Sequence, residues 1–575
     1  MLLTKFLQCG LVRTANVIVR PTIVGSGITT RSYASGPRTG ARGAVSRNQL
    51  NLTSSMKKNE RSTNHKKKQR LRKQSGQKSN SSSKPFHYGE FGGLKENKTV
   101  NRDLDLVTAL VNKISSFDDL KLLPEVREAI KTIVAKDTTV LGIKQDDISP
   151  SPIQILTVKR MSKSLMDPKL QTHAIAADTG SGKTIAYLLP LIDYMMREHL
   201  ETPELWDNIH DKASIRSIIL VPTHELVDQV YSTIEKTEET LGLHTFKWDI
   251  YTKYPDLIGA IKNRVDILVT TPSKLLTLFN IKMISNPERL LYNVKNLVID
   301  EADTLMDPSW VNDTHSVIRR MKNLNHLIFC SATIPNEFNK TITRLFPSYV
   351  PITTARLHKL PRKLDFKIID SSLNPFKGSK LKALAQILYA VNKDNSEEGY
   401  QKRCVVFVNE KDDVIKIAEN MRNKYGLNVM GLTGNNKVED RLQTIKLFTS
   451  PPRLMSEINT EVKAVKDDLK SAESLPLTIP GSNITIGPTK NTEIHKNNKS
   501  IILITTDLMA RGLNFQGLGN VILYDVPKTS IDLVHRAGRT ARMRQGGRLF
   551  MITDKKTKAW AKALPKIVKN NLALT

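Results

Sequence analysis

Cysteine is nearly absent. Cys9, Cys330 and Cys404 are the whole complement of a 575-residue chain, and they stand far apart. That excludes a disulfide scaffold and any multi-cysteine zinc site. No run of 18 or more apolar residues occurs, which argues against a membrane-spanning helix. Acidic side chains are missing from the start of the chain, Glu60 being the first. A secretory signal needs an unbroken apolar stretch of about 7–15 residues, and Arg13 and Arg20 interrupt every candidate.

What is present is positive charge. The chain has 87 Lys and Arg against 56 Asp and Glu, a formal +31, of which residues 1–100 carry +17. Such a surplus points to a polyanionic partner, most simply nucleic acid. A basic tail that only solubilises or targets the chain is the plainer alternative. Residues 1–33 are Arg-rich, acid-free and contain Ser and Thr, the composition of a mitochondrial transit peptide. Arg31-Ser32-Tyr33 followed by Ala34-Ser35 resembles a matrix processing site after Tyr33. Residues 34–102 are expected to be a disordered basic arm containing Lys66-Lys67-Lys68-Gln69-Arg70-Leu71-Arg72-Lys73. The arm suits either phosphate tethering of RNA or a solvated linker.

Length alone suggests about four domains, but the pattern indicates two. Short apolar runs such as Ser217–Val221, Asp266–Thr270 and Leu297–Ile299 alternate with helix-length segments, and the pattern resumes at Cys404–Val408. Continuous apolar strands alternating with helices predict a parallel sheet covered on both faces. The expected α/β domains span 103–355 and 376–575, joined by a linker at 356–375. Residues 449–499, opening near Pro451-Pro452, read as an insert, with disorder favoured over a docking role.

Chemistry concentrates in the first domain. Ala177-Asp178-Thr179-Gly180-Ser181-Gly182-Lys183-Thr184 follows a strand and opens a helix. This is a P-loop layout in which Gly180 and Gly182 let backbone N–H groups curl around a phosphate. Lys183 supplies charge to the β- and γ-phosphates, and Thr184 serves Mg²⁺ directly or through water. The helix adds its positive N-terminal end. Asp300-Glu301-Ala302-Asp303 directly follows an apolar strand, where a parallel sheet gathers its ligands. Asp300 is the expected metal-site carboxylate, and Glu301 the residue that orients or deprotonates the attacking water.

These motifs, in this order, make the sequence resemble a DEAD-box RNA helicase over about residues 115–560, with two tandem RecA-like doubly wound parallel-sheet domains. The resemblance implies ATP and Mg²⁺ as cofactors. It implies adenine reading by Gln154 within Pro150–Gln154, and stacking by Phe117. Pro222-Thr223-His224-Glu225-Leu226 and Thr271-Pro272-Ser273-Lys274 resemble the RNA-backbone motifs of the first domain. Thr433-Gly434, Arg441 and Thr505 resemble those of the second. Ser331-Ala332-Thr333 and His535 resemble the residues that couple hydrolysis to unwinding. Asn514 stands where an Asp meets the ATP ribose. Arg539 and Arg542 resemble arginines that reach the γ-phosphate from the second domain. Their three-residue spacing predicts one helix face. Cys330 and Cys404 are expected as core residues.

The resulting expectation is a monomeric, ATP-hydrolysing RNA helicase of the mitochondrial matrix, acting on ribosomal RNA during large-subunit assembly. His224, Ser273-Lys274 and Asn514 depart from the family pattern, which suits slow turnover and one structured RNA. An ATP-gated RNA clamp, a splicing or RNA-turnover helicase, and a DNA translocase are the alternatives.

Overall fold

The computed structural model describes residues 113–138, 148–204, 213–282, 286–354, 357–361, 363–460, 499–541, 546–557 and 559–570, with 109, 111, 208, 284, 477–478, 485–486 and 574. The expected transit peptide, the basic arm, most of the insert and Arg542 lie outside them.

Two parallel sheets organise the described chain. The first holds β1 (Gln171–Ala176), β2 (Ser214–Leu220), β3 (Thr245–Trp248), β4 (Arg264–Thr270), β5 (Asn296–Ile299), β6 (His326–Ser331) and β7 (Val350–Thr353) in the order β3-β4-β2-β5-β6-β1-β7. The second holds β8 (Leu364–Asp370), β9 (Lys402–Phe407), β10 (Val429–Leu432), β13 (Ser500–Thr505), β14 (Asn520–Leu523) and β15 (Gly547–Thr553) in the order β10-β13-β9-β14-β15-β8. A short antiparallel pair, β11 (Leu477–Thr478) and β12 (Thr485–Ile486), lies in the insert. This is the doubly wound RecA-like pair of lobes.

Burial explains why the strands read as continuous apolar runs. Ile219 and Val221 pack into one core cluster, Ile218 and Leu220 into another. Both faces of the sheet are therefore covered, and no polar alternation is required. Register then gathers the loops. Ala176 pairs with Ser331, and Ile299 pairs with both Leu220 and Phe329. The loops after β1, β2, β5 and β6 leave the sheet at one end, so distant motifs meet there. Cys330 and Cys404 are free and buried in the cores.

Three expectations need correction. Residues 364–370, expected within the linker, form β8 at the edge of the second sheet, parallel to β15. Phe117, expected on adenine, is buried with the core cluster of Val126, Ile130 and Ile133. Val134 of the helix Pro124–Thr138, and not Phe117, lines the cavity beside Lys183 and Thr184. Arg539 is not on a helix face: the helix Ser530–Ala537 ends at Gly538, and Ala541 is left-handed at φ 54°. The spacing rule fails because the helix stops before the first arginine.

Candidate active site

The P-loop bends where glycine permits it. Gly180 and Gly182 have φ of 76° and 85°, the left-handed region that other residues adopt at a cost. Gly182 caps the helix Lys183–Glu201. A Cβ at Gly182 would lie 2.6 Å from Gln154 Nε2. Gln154 accepts from the Ser151 N–H at 2.7 Å and donates to the Gly182 carbonyl at 3.3 Å, so it braces the loop. Lys183 Nζ donates to the carbonyls of Ala177 and Asp178, each at 3.1 Å.

Opposite the loop, Asp300 and Glu301 leave β5. Asp300 is buried, accepts from the Tyr187 hydroxyl at 3.0 Å, and accepts the Glu301 N–H at 2.8 Å. Burial, with Glu301 beside it, pushes its carboxyl up to about 6. Glu301 has φ 47°, a left-handed conformation unusual for a glutamate. Its Oε2 and the hydroxyl of Ser181 are buried without a hydrogen-bond partner. Buried polar atoms left unsatisfied indicate a missing ligand or ordered water. A cavity of about 220 Å³ opens between these groups, lined by Gln154, Thr179, Lys183, Thr184, Asp300 and Glu301 among others. Thr184 and Asp300 supply the oxygen donors that a hard divalent cation prefers.

The second lobe completes the cavity wall with Gly512, Asn514 and Arg539. Arg539 donates to the carbonyls of His535 and Leu513 at 2.9 and 2.7 Å, and burial pushes its pKa down to about 10. Its neighbour in sequence, Gly538, approaches the P-loop so closely that a Cβ would lie 1.8 Å from Thr179 Oγ1.

A buried network links the lobes beside this cavity. His535 Nε2 lies 2.9 Å from Asp303 Oδ2, which also accepts from the Thr333 hydroxyl. Burial opposes ionisation of Asp303, but His535, Arg511 and Thr333 hold its carboxyl well below the usual range. Ser331 Oγ donates to the Thr333 carbonyl at 2.8 Å, shaping the turn that presents Thr333. Arg511 donates to Thr304 Oγ1 at 2.7 Å and pairs with Asp532 at 3.3 Å. Within the second lobe, Arg536 makes two 2.6 Å bonds to the Asp507 carboxylate and one of 2.7 Å to Asn409.

The candidate RNA residues divide. Thr223 and Thr271 cap the helices His224–Ile234 and Pro272–Leu276, their hydroxyls accepting from Leu226 and Lys274. Pro222, His224, Pro272 and Ser273 stand at these two helix starts, and burial lowers the pKa of His224. Thr433 bonds Asn436 at 2.8 Å, and Gly434 follows it. Arg441 lies 3.0 Å from Glu225 of the first lobe. Thr505 is fully buried, and its hydroxyl donates to the Leu432 carbonyl at 3.1 Å, so it serves the sheet.

Sequence reasoning missed Gln229. Its amide donates to the Gly512 carbonyl at 3.3 Å and accepts the Asn514 N–H, a two-point link between lobes. Leu226, one turn earlier, packs where a Cβ at Gly512 would lie 2.3 Å from its methyl. It also missed Tyr187. Neither residue has a local signal beyond its helical position.

Two RecA-like lobes closing on a P-loop cavity, with an arginine supplied from the second lobe, define the superfamily of nucleotide-driven helicases. Residues 151–341 match the DEAD/DEAH box helicase family, and residues 489–544 match the helicase conserved C-terminal domain. The chain belongs to the DEAD-box family of ATP-dependent RNA helicases. It is 56% identical over 556 residues to the mitochondrial ATP-dependent RNA helicase MRH4 of Saccharomyces cerevisiae S288c, covering 95% of this chain and 96% of that one. It is 57% identical over 498 residues to the protein of the same name from Vanderwaltozyma polyspora, covering 85% and 90%. Among solved structures it resembles S. cerevisiae Dbp5 bound to RNA and ADP BeF3 (TM-score 0.53, 18% identity, 80% and 94% covered). It also resembles Mss116p bound to ssRNA and AMP-PNP (TM-score 0.55, 18% identity, 80% and 78% covered). At that identity these likenesses establish the fold. Among the described residues, no helix is long and apolar enough to cross a membrane.

Proposed function

We propose that this chain hydrolyses ATP to remodel structured RNA in the mitochondrial matrix, acting as a monomer on ribosomal RNA in large-subunit assembly. The observation that carries the ATPase reading is the cavity itself. Lys183 and Glu301 from one lobe and Arg539 from the other line the same space. Lys183 would exchange its carbonyl partners for the β- and γ-phosphates. Glu301 is placed to orient the attacking water and take its proton. Arg539 would offset charge on the γ-phosphoryl oxygens as the bond to the leaving phosphate breaks. Thr184 and Asp300 would hold Mg²⁺, which supplies charge neutralisation between the phosphates. Arg542 shares the proposed arginine role by its motif position. The Asp303–Thr333–His535 network would report closure to the RNA side, where Thr223, Thr271 and Arg441 stand.

The mitochondrial address is supported by the acid-free, Arg-rich start and by the names of the relatives. The ribosomal substrate is supported by the basic residues before 103 and by the departures at His224 and Ser273-Lys274. The test is ATP hydrolysis with RNA and with DNA, followed by strand separation and by crosslinking of the RNA bound in cells. Stimulation by DNA alone, or crosslinks mainly to introns or messages, would overturn the respective parts. The Gln229 and Arg441 contacts between lobes also favour a clamp reading. Tight RNA retention with a non-hydrolysable analogue and no strand separation would select it.

A further inference from the structure

Tyr187 belongs to none of the motifs above, yet its hydroxyl sits among the atoms that matter most. It lies on the helix Lys183–Glu201, one turn beyond Thr184, and is fully buried. The hydroxyl donates to Asp300 Oδ2 at 3.0 Å. The other carboxylate oxygen, Oδ1, accepts the Glu301 N–H at 2.8 Å.

Each oxygen of Asp300 therefore has one donor, and each retains a lone pair. Two fixed donors stop rotation of the carboxylate about its Cβ–Cγ bond. The plane of the carboxylate, and the direction in which its remaining lone pairs point, are set by the fold. A core tyrosine must find some partner for its hydroxyl, and a backbone carbonyl would satisfy that need. Here the partner is the candidate metal carboxylate. A phenylalanine would fill the same space and leave Oδ2 without its donor.

We infer that Tyr187 is a positioning residue for the cation site, holding the Asp300 carboxylate in the orientation that receives the divalent ion of the bound nucleotide. This rests on the ATP and Mg²⁺ reading above. Outer residues that orient metal ligands commonly influence affinity by tenfold or more when lost.

The experiment compares the full chain with Tyr187→Phe. Binding of a fluorescent ADP is titrated with Mg²⁺, and the same binding is measured in EDTA. Circular dichroism and melting of both proteins establish that the variant is folded. The expected result is a rise of about tenfold in the Mg²⁺ concentration at half-saturation, with the affinity in EDTA unchanged. Equal Mg²⁺ midpoints in the two proteins would overturn the inference. An affinity loss in EDTA as large as that in Mg²⁺ would also overturn it, because the lesion would then lie in the nucleotide cradle. Absence of Mg²⁺-dependent binding in the unsubstituted chain defeats the nucleotide reading itself, and is recognised before any substitution is compared.

Discussion

Glu301 combines three features that rarely coincide: a left-handed backbone, near-complete burial and an unpartnered carboxylate oxygen. Strain of this kind persists only where the surroundings enforce it, and it gathers at functional sites. The following residues explain the enforcement, since Thr304 and Leu305 both donate backbone N–H groups to the Glu301 carbonyl. Glu301→Gln should retain nucleotide binding and lower RNA-stimulated ATP hydrolysis by about 100-fold or more; steady-state phosphate release measures it. A second residue makes a prediction far from the site. Burial pushes the Glu397 carboxyl up to about 7, against an ordinary value of 4.5. The folded state thus binds this proton more tightly than the unfolded chain. The contribution of Glu397 to stability is complete below pH 4.5 and is lost as pH rises through 7. Glu397→Gln should flatten that part of the pH profile and raise the melting temperature at pH 7.5 relative to the parent.

At the scale of elements, the helix His224–Ile234 links the two lobes. Its buried face carries Leu226 and Val230 into the core, while Gln229 and Leu226 meet residues 512–514 of the other lobe. Gly512 is left-handed at φ 70°, and a side chain there would collide with Leu226. Gly512→Ala should therefore weaken RNA retention with a non-hydrolysable ATP analogue. A fluorophore pair, one on each lobe, should show reduced closure, with both sheets still folded by circular dichroism. The interior of the P-loop helix makes a separate prediction. Leu188 is fully buried, so Leu188→Ala should destabilise the fold by about 2–5 kcal/mol in denaturant unfolding.

Elements differ in how clearly the sequence announces them. The central strands were legible because both of their faces are buried. β8 was not: Leu364 and Phe366 are buried while Asp365 and Lys367 are exposed, in a basic stretch between Pro361 and Pro375. An edge strand keeps polar side chains outward, so its composition resembles a linker. Arg539 failed for a different reason. Spacing three apart implies a shared face only while the helix continues, and this helix ends at Ala537, before Arg539.

At the scale of the whole molecule, two buried histidines contribute to acid sensitivity. Burial lowers both His173 and His358 to about 4, from an ordinary value near 6.5. His358 accepts the Ile334 N–H at 3.1 Å, which requires its neutral form. Their stabilising contribution is complete above pH 6.5 and is lost as pH falls towards 4. The melting temperature should drop across that window, and less steeply in His358→Asn, since asparagine tolerates the φ of 63° found there.

The sequence by itself determined the two parallel-sheet lobes, the P-loop and the acidic tetrad. Each of these is written in contiguous residues whose spacing carries its own physical meaning. Tertiary structure alone decided the pairings across hundreds of positions. Gln229 meets Gly512, Asp303 meets His535, and Tyr187 meets Asp300 because strand register and lobe closure bring them together. No local pattern records such contacts. They depend on where separate segments end in space, and that is fixed only when both lobes are folded against each other.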